Sequence, residues 1–156
     1  VQGTSRWSVV AVMALVLAGA VGCASDDRFN VQNARAHVER LASGGSRWTR
    51  NEANERARAY VIESLQLYGY DVRVQEVDVP WRETGFTTRV ANVIATRPGA
   101  QRDAVALVAH YDSVAWGPGA GDDGIGTAVA LEAARVLAAR PSPRHSLMVL
   151  ITDGEE

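Results

Sequence analysis

Apolar residues along the chain first recur at helical spacing. Val31, Ala34, Val38 and Leu41 fall three or four apart, which predicts a helix over residues 30–42. Ser43-Gly44-Gly45-Ser46 stops it. Thr49 and Glu52 match a capping box that would open a second helix. Ala57, Val61, Leu65 and Tyr68 give that helix its apolar face, and Gly69 its stop. The period then shortens to two. Val72, Val74, Val77 and Val79 predict a strand with a one-residue slip near Glu76, ended by Pro80. Residues 89–96 predict a second strand, and Pro98-Gly99 a turn. The continuous apolar run 104–109 predicts a buried central strand. Residues 127–139 read as a helix that is apolar nearly all round, and 146–152 as another buried strand. Two helices, three strands, a helix and a strand make an α/β domain. The expected architecture is a three-layer αβα sandwich with a mixed β-sheet.

The N-terminus follows a different pattern. One arginine, Arg6, precedes an uncharged stretch from Trp7 to Ser25, the layout of an export signal. Ala20-Val21-Gly22-Cys23 resembles a bacterial lipoprotein processing box, with Ala20 where leucine is usual. Lipidation at Cys23, simple cleavage and an uncleaved anchor are the three outcomes this stretch allows. The chain is therefore divided into a leader and spacer over residues 1–29 and a folded part over 30–156. Its expected location is outside the cytoplasm, as a cell-envelope lipoprotein or a secreted protein.

Composition narrows the chemistry. The 156 residues are 47% hydrophobic and 22% charged, which excludes a disordered chain. A net charge of −2 without a basic block gives no support to nucleic-acid binding. Cys23 is the only cysteine, so a CxxC zinc site and an intrachain disulfide are both excluded. A metal would have to be held by His, Asp and Glu, and the only histidines are His37, His110 and His145.

Two predicted strands end in polar clusters. One ends in His110-Tyr111-Asp112-Ser113, the other in Asp153-Gly154-Glu155-Glu156. Between them, Gly119-Ala120-Gly121-Asp122-Asp123-Gly124 opens the long helix. Ligands gather at the C-terminal ends of strands in such sheets. Taken singly, each cluster has a plain structural reading: a hydrogen-bonded histidine, a turn with a helix cap, a solvated pair of glutamates. Together they put one histidine and six carboxylates at one sheet edge. That much negative charge calls for a cation, and imidazole plus carboxylate without thiolate suits zinc and leaves manganese or cobalt open.

These residues resemble peptidase family M28, the co-catalytic di-zinc aminopeptidases. The resemblance lies in His110-Tyr-Asp112-Ser, in Asp122-Asp123-Gly124 after nine residues from Asp112, and in Glu155-Glu156 after an apolar strand. Arg89-Val-Ala-Asn92-Val-Ile-Ala and Asn54-Glu55-Arg56-Ala57 extend it. It implies a zinc-exopeptidase-like fold, truncated here at its C-terminal side, and an aminopeptidase acting on a peptide substrate. It implies that His110 binds one zinc, that Asp122 bridges two zinc ions and that Glu156 binds the second. Glu155 would be the general base of a di-zinc-bound hydroxide, and Asp112 would orient His110. It also implies a cis Asp122–Asp123 peptide. A further aspartate and histidine ligand are expected downstream of Glu156, so the sequence reads as the N-terminal part of a longer enzyme. The fragment alone is expected to bind zinc weakly, to expose a sheet edge and to be inactive.

His37 and His145 are expected to be surface or structural residues. Trp116, between two ligands, would line the substrate pocket or cover its own loop, whereas Trp48 and Trp81 are expected to pack. Two other readings keep the fold: a catalytically silent peptidase-like binding domain, and a single-zinc acyltransferase of the glutaminyl-cyclase type. A membrane tether would run through Cys23 or the N-terminal apolar segment.

Overall fold

The computed structural model describes residues 27–80 and 85–156. The leader, Cys23 and Trp81 lie outside the described residues. Helix α1 (Val31–Ala42) opens on Asn30, whose side chain accepts the N–H of Gln32. It buries Ala34, His37 and Leu41, while Val31 is exposed. His37 thus occupies a position on the inner face that the apolar pattern gave to valine. Helix α2 (Glu52–Leu67) is capped by Asn51, whose side chain accepts the N–H of Asn54. The expected capping box is corrected here. Arg50 takes a left-handed φ of 73°, the helix starts after it, and the Thr49 hydroxyl is drawn away to Asp153 at 3.2 Å. Gly69 ends α2 as predicted, with φ at +82°.

Strand β1 (Asp71–Pro80) runs antiparallel to β2 (Thr87–Arg97) without a break in register, from Asp71 opposite Thr96 to Pro80 opposite Thr87. The expected slip near Glu76 is therefore absent. Val72 and Val74 instead face one side of the sheet and Val77 and Val79 the other, since side chains alternate along an unbroken strand. Strand β3 (Gln101–His110) crosses through helix α3 (Ile125–Ala138) to β4 (His145–Thr152), which lies parallel to it. β4 also pairs antiparallel with β2, so the four strands form a mixed sheet in the order β1-β2-β4-β3.

That order corrects one expectation. The apolar run in β3 is at an edge of the sheet among the described residues, with Val105 and Val108 exposed, and β4 takes the central place. The core is a single cluster on one face of the sheet. Leu41 of α1, Val61 and Leu65 of α2, and Leu131 and Ala134 of α3 meet Val93, Ala95, Val149 and Ile151 there. Val61, Leu65, Leu131, Val149 and Ile151 are wholly buried, each stabilising the fold by about 1.5–3 kcal/mol. Two of the three expected layers, helices and sheet, are thus formed by the described residues. Glu132 of α3, also wholly buried, ties α3 to the N-terminus of α1. It accepts both Arg135 donors at 2.7 Å and the Asn30 N–H at 2.8 Å. Burial pushes its carboxyl up, but those bonds outweigh it and hold the group below its ordinary range.

Candidate metal centre

β3 and β4 run parallel and in step, with His110 opposite Thr152. The polar segments that follow them therefore leave the sheet side by side. The backbone of His110 is fixed from α3 and from the segment just before it. Its N–H donates to Asp123 Oδ2 at 3.3 Å, and its carbonyl accepts the Thr127 hydroxyl at 2.7 Å.

The imidazole stands between carboxylates. Nδ1 lies 3.3 Å from Asp112 Oδ1, and Nε2 lies 3.1 Å from Asp122 Oδ1 and 3.8 Å from Glu155 Oε2. Asp112 is wholly buried, whereas the Asp122 side chain is 81% exposed. The approach of Nδ1 to Asp112 Oδ1 lacks hydrogen-bond geometry, and both atoms are buried without another partner. A buried imidazole and carboxylate left in that condition cost free energy unless charge nearby completes the arrangement.

Asp122 owes its place to a kink in the segment Ala120–Gly124 that precedes α3, where Asp122 and Asp123 both leave helical φ and ψ. The Asp122–Asp123 peptide is cis, as the sequence resemblance implies. Glycine is required on both sides of this pair. Gly119 has φ at +57°, and a Cβ on it would lie 2.5 Å from the Asp122 carbonyl oxygen. A Cβ on Gly126 would lie 2.1 Å from Asp123 Oδ1, which accepts the Gly126 N–H at 2.9 Å. Asp123 is thereby spent on capping α3 and on holding His110.

The other carboxylates divide. Asp153 turns away from His110. It accepts the Thr49 hydroxyl at 3.2 Å, the Asn54 amide at 2.9 Å and the Ala91 N–H at 3.0 Å. Glu155 faces His110, with its side chain 62% exposed. Glu156 is held through its backbone, whose N–H donates to Asp112 Oδ2 at 3.0 Å. Glu155, Glu156, Trp48, Val79, Val114 and Trp116 line a neighbouring cleft of about 900 Å³. Trp116 thus lines a cleft beside the centre, and Trp48, expected only to pack, lines it too. His37 is buried between Tyr60 and Tyr68, and His145 pairs with Asp103 at 2.9 Å, both away from the centre.

The structure therefore brings together His110, Asp112, Asp122 and Glu155, with Glu156 joined by its main chain. Among the described residues no three His, Cys, Asp or Glu side chains converge closely enough to hold an ion alone. The donor types fit zinc, which takes imidazole nitrogen and carboxylate oxygen. The orphaned Nδ1 and Oδ1 fit the usual pairing of a metal-binding histidine with a carboxylate behind it.

Two contributors were given no role by the sequence. Arg47 is wholly buried beneath the centre, where desolvation lowers its pKa against the opposing pull of Asp112 and Asp123. Tyr111, between His110 and Asp112, is wholly buried and donates its hydroxyl to the Ala91 carbonyl at 2.9 Å. Burial and the charge of Asp153 push that hydroxyl far above its ordinary range, so it stays neutral.

Residues 92–156 match the model of peptidase family M28. The chain is 31% identical over 160 residues to endoplasmic reticulum metallopeptidase 1 of Homo sapiens, covering 91% of this chain and 17% of that protein. It is 31% identical over 118 residues to leucine aminopeptidase 1 of Leptosphaeria maculans, covering 68% of this chain and 29% of that protein. The chain thus spans about a sixth of the first of these relatives and less than a third of the second. Among solved structures, glutaminyl cyclase from Tannerella forsythia matches with a TM-score of 0.73 at 28% identity, covering 81% of this chain and 47% of that one.

Proposed function

The chain belongs to peptidase family M28, and from that premise we propose that it forms part of a zinc-dependent aminopeptidase that removes N-terminal residues from peptides. The observation that carries the reading is the setting of His110. One ring nitrogen faces Asp122 at 3.1 Å and the other is backed by buried Asp112 at 3.3 Å. His110, Asp122 and Glu156 would hold the zinc, and two ions would make Asp122 their shared ligand. When bound, the ions would supply the positive charge that polarises a scissile carbonyl.

The remaining steps belong to the chain. Asp112 fixes the ring orientation and tautomer of His110. Glu155 is the general base. Its exposed carboxylate reaches the mouth of the centre, where it takes a proton from the attacking water and returns it to the departing amine. The cleft lined by Trp48, Val114 and Trp116 opens beside Glu155 and Glu156, and it would seat an apolar side chain of the peptide. The uncharged N-terminal stretch supports export, by cleavage or by lipidation at Cys23.

The fold match at 28% identity favours one second reading, a single-zinc acyltransferase of the glutaminyl-cyclase type. Both are tested by the zinc content of the full-length protein and by hydrolysis of an aminoacyl-anilide with and without a chelator. Two zinc ions and chelator-sensitive release are expected. One zinc with no release, together with cyclisation of an N-terminal glutamine peptide, would transfer the assignment to the second reading.

A further inference from the structure

Arg47 lies between α1 and α2 in sequence, yet its side chain belongs to neither helix. All three of its nitrogens donate to main-chain carbonyls of one loop: Nε to Tyr111 at 2.6 Å, Nη1 to Pro118, and Nη2 to Gly119 at 3.0 Å. Its backbone grips the same loop. The Arg47 N–H donates to Ser113 Oγ at 2.8 Å, and the Arg47 carbonyl accepts the Ser113 N–H at 3.3 Å. Asn54 of α2 donates to that carbonyl at 3.2 Å, which fixes Arg47 itself.

The positions of the acceptors matter. Tyr111 sits between His110 and Asp112, and Gly119 stands three residues before Asp122. The loop that joins the two facing side chains is therefore clamped near each end by one rigid, planar fork. Burying the guanidinium costs free energy, since it bonds to carbonyls and to no carboxylate, although Asp112 and Asp123 lie near enough to act on its charge.

We propose that Arg47 is a positioning residue that sets the separation of His110 from Asp122 and so the zinc affinity of the centre. The inference rests on the metallopeptidase reading. The test compares full-length wild type, Arg47→Lys, Arg47→Met and the exposed control Arg35→Met. Zinc affinity is measured by competition with a chromophoric chelator, and stability by urea unfolding of the metal-free proteins. Arg47→Lys keeps the charge but loses the fork. It is expected to weaken zinc binding about 10- to 100-fold, the usual effect of removing support behind a metal ligand, while Arg35→Met stays at the wild-type value. Should Arg47→Met fail to fold, the lysine variant decides alone. An Arg47→Lys protein with a lowered urea midpoint but wild-type zinc affinity would show that Arg47 only stabilises the loop. Failure of the metallopeptidase reading itself would appear separately, as a wild type that binds no zinc, and would overturn the Arg47 role with it.

Discussion

Asp112 links His110 and Glu156 through its two oxygens: Oδ2 accepts the Glu156 N–H at 3.0 Å, while Oδ1 faces His110 Nδ1 at 3.3 Å. One buried carboxylate thus holds the main chain beyond β4 and stands behind the His110 ring at the end of β3. Asp112→Asn keeps the shape but removes the charge, and its amide would face either the Glu156 N–H or the imidazole. Zinc affinity of the full-length protein is expected to fall about 10- to 100-fold, measured by chelator competition. Unchanged affinity would remove Asp112 from the support of His110.

Glu155 differs from its neighbour in exposure and orientation, since its carboxylate faces His110 Nε2 at 3.8 Å and meets solvent. Glu155→Gln preserves size and removes the basic oxygen. The proposed role predicts a fall in kcat of about 10²- to 10⁴-fold with zinc content unchanged. Turnover near the wild-type rate would sink the assignment.

Asp153 is the carboxylate spent on architecture. It joins Thr49, α2 through Asn54, and β2 through the Ala91 N–H. Asp153→Ala would leave three donors without their acceptor, two of them on buried side chains. Unfolding by urea is expected to show a loss of about 2–5 kcal/mol, given roughly 1–3 kcal/mol for each unsatisfied buried group with partial relaxation. A loss below about 1 kcal/mol would mean that water or a neighbour replaces the carboxylate.

The order of elements was readable because the apolar period changes from helical to alternating and back, and each element buries a face. The grouping of the candidate residues was readable because two apolar strands end in polar clusters that the fold brings to one sheet edge. Other features depend on contacts distant in sequence. Thr49 and Asn51 both have the chemistry of a helix cap, and only the approach of Asp153 settles which one serves. The run 104–109 looks the same at an edge as at the centre, because the crossover through α3 decides the strand order. Four valines in β1 can mark one face with a slip or two faces without one, and unbroken pairing with β2 selects the second. Arg47 was hidden for another reason. Arginine is ordinarily solvated, and no local pattern shows that a loop 64 residues away supplies its acceptors.

His37 gives the fold a dependence on pH that is independent of the metal centre. It is buried on α1, with the Tyr60 hydroxyl 2.6 Å from Nδ1 and the Tyr68 hydroxyl 3.4 Å from Nε2. Burial lowers its pKa below the ordinary 6.5. Glu132 pulls it upward, and Arg135 adds a smaller downward push. The unfolded chain therefore takes up a proton at this position before the folded one does. Stability from this group is complete above about pH 6.5 and declines as pH falls toward the folded pKa, because the unfolded state then binds more protons. Glu132 acts in a separate window. Its carboxyl titrates below 4.5, so its contribution is lost only in stronger acid. Urea unfolding of the metal-free protein between pH 7 and 5 is expected to show the decline, and His37→Gln, which keeps polar atoms but cannot titrate, is expected to flatten it. A His37→Gln variant with the same slope as wild type would assign the decline to other groups.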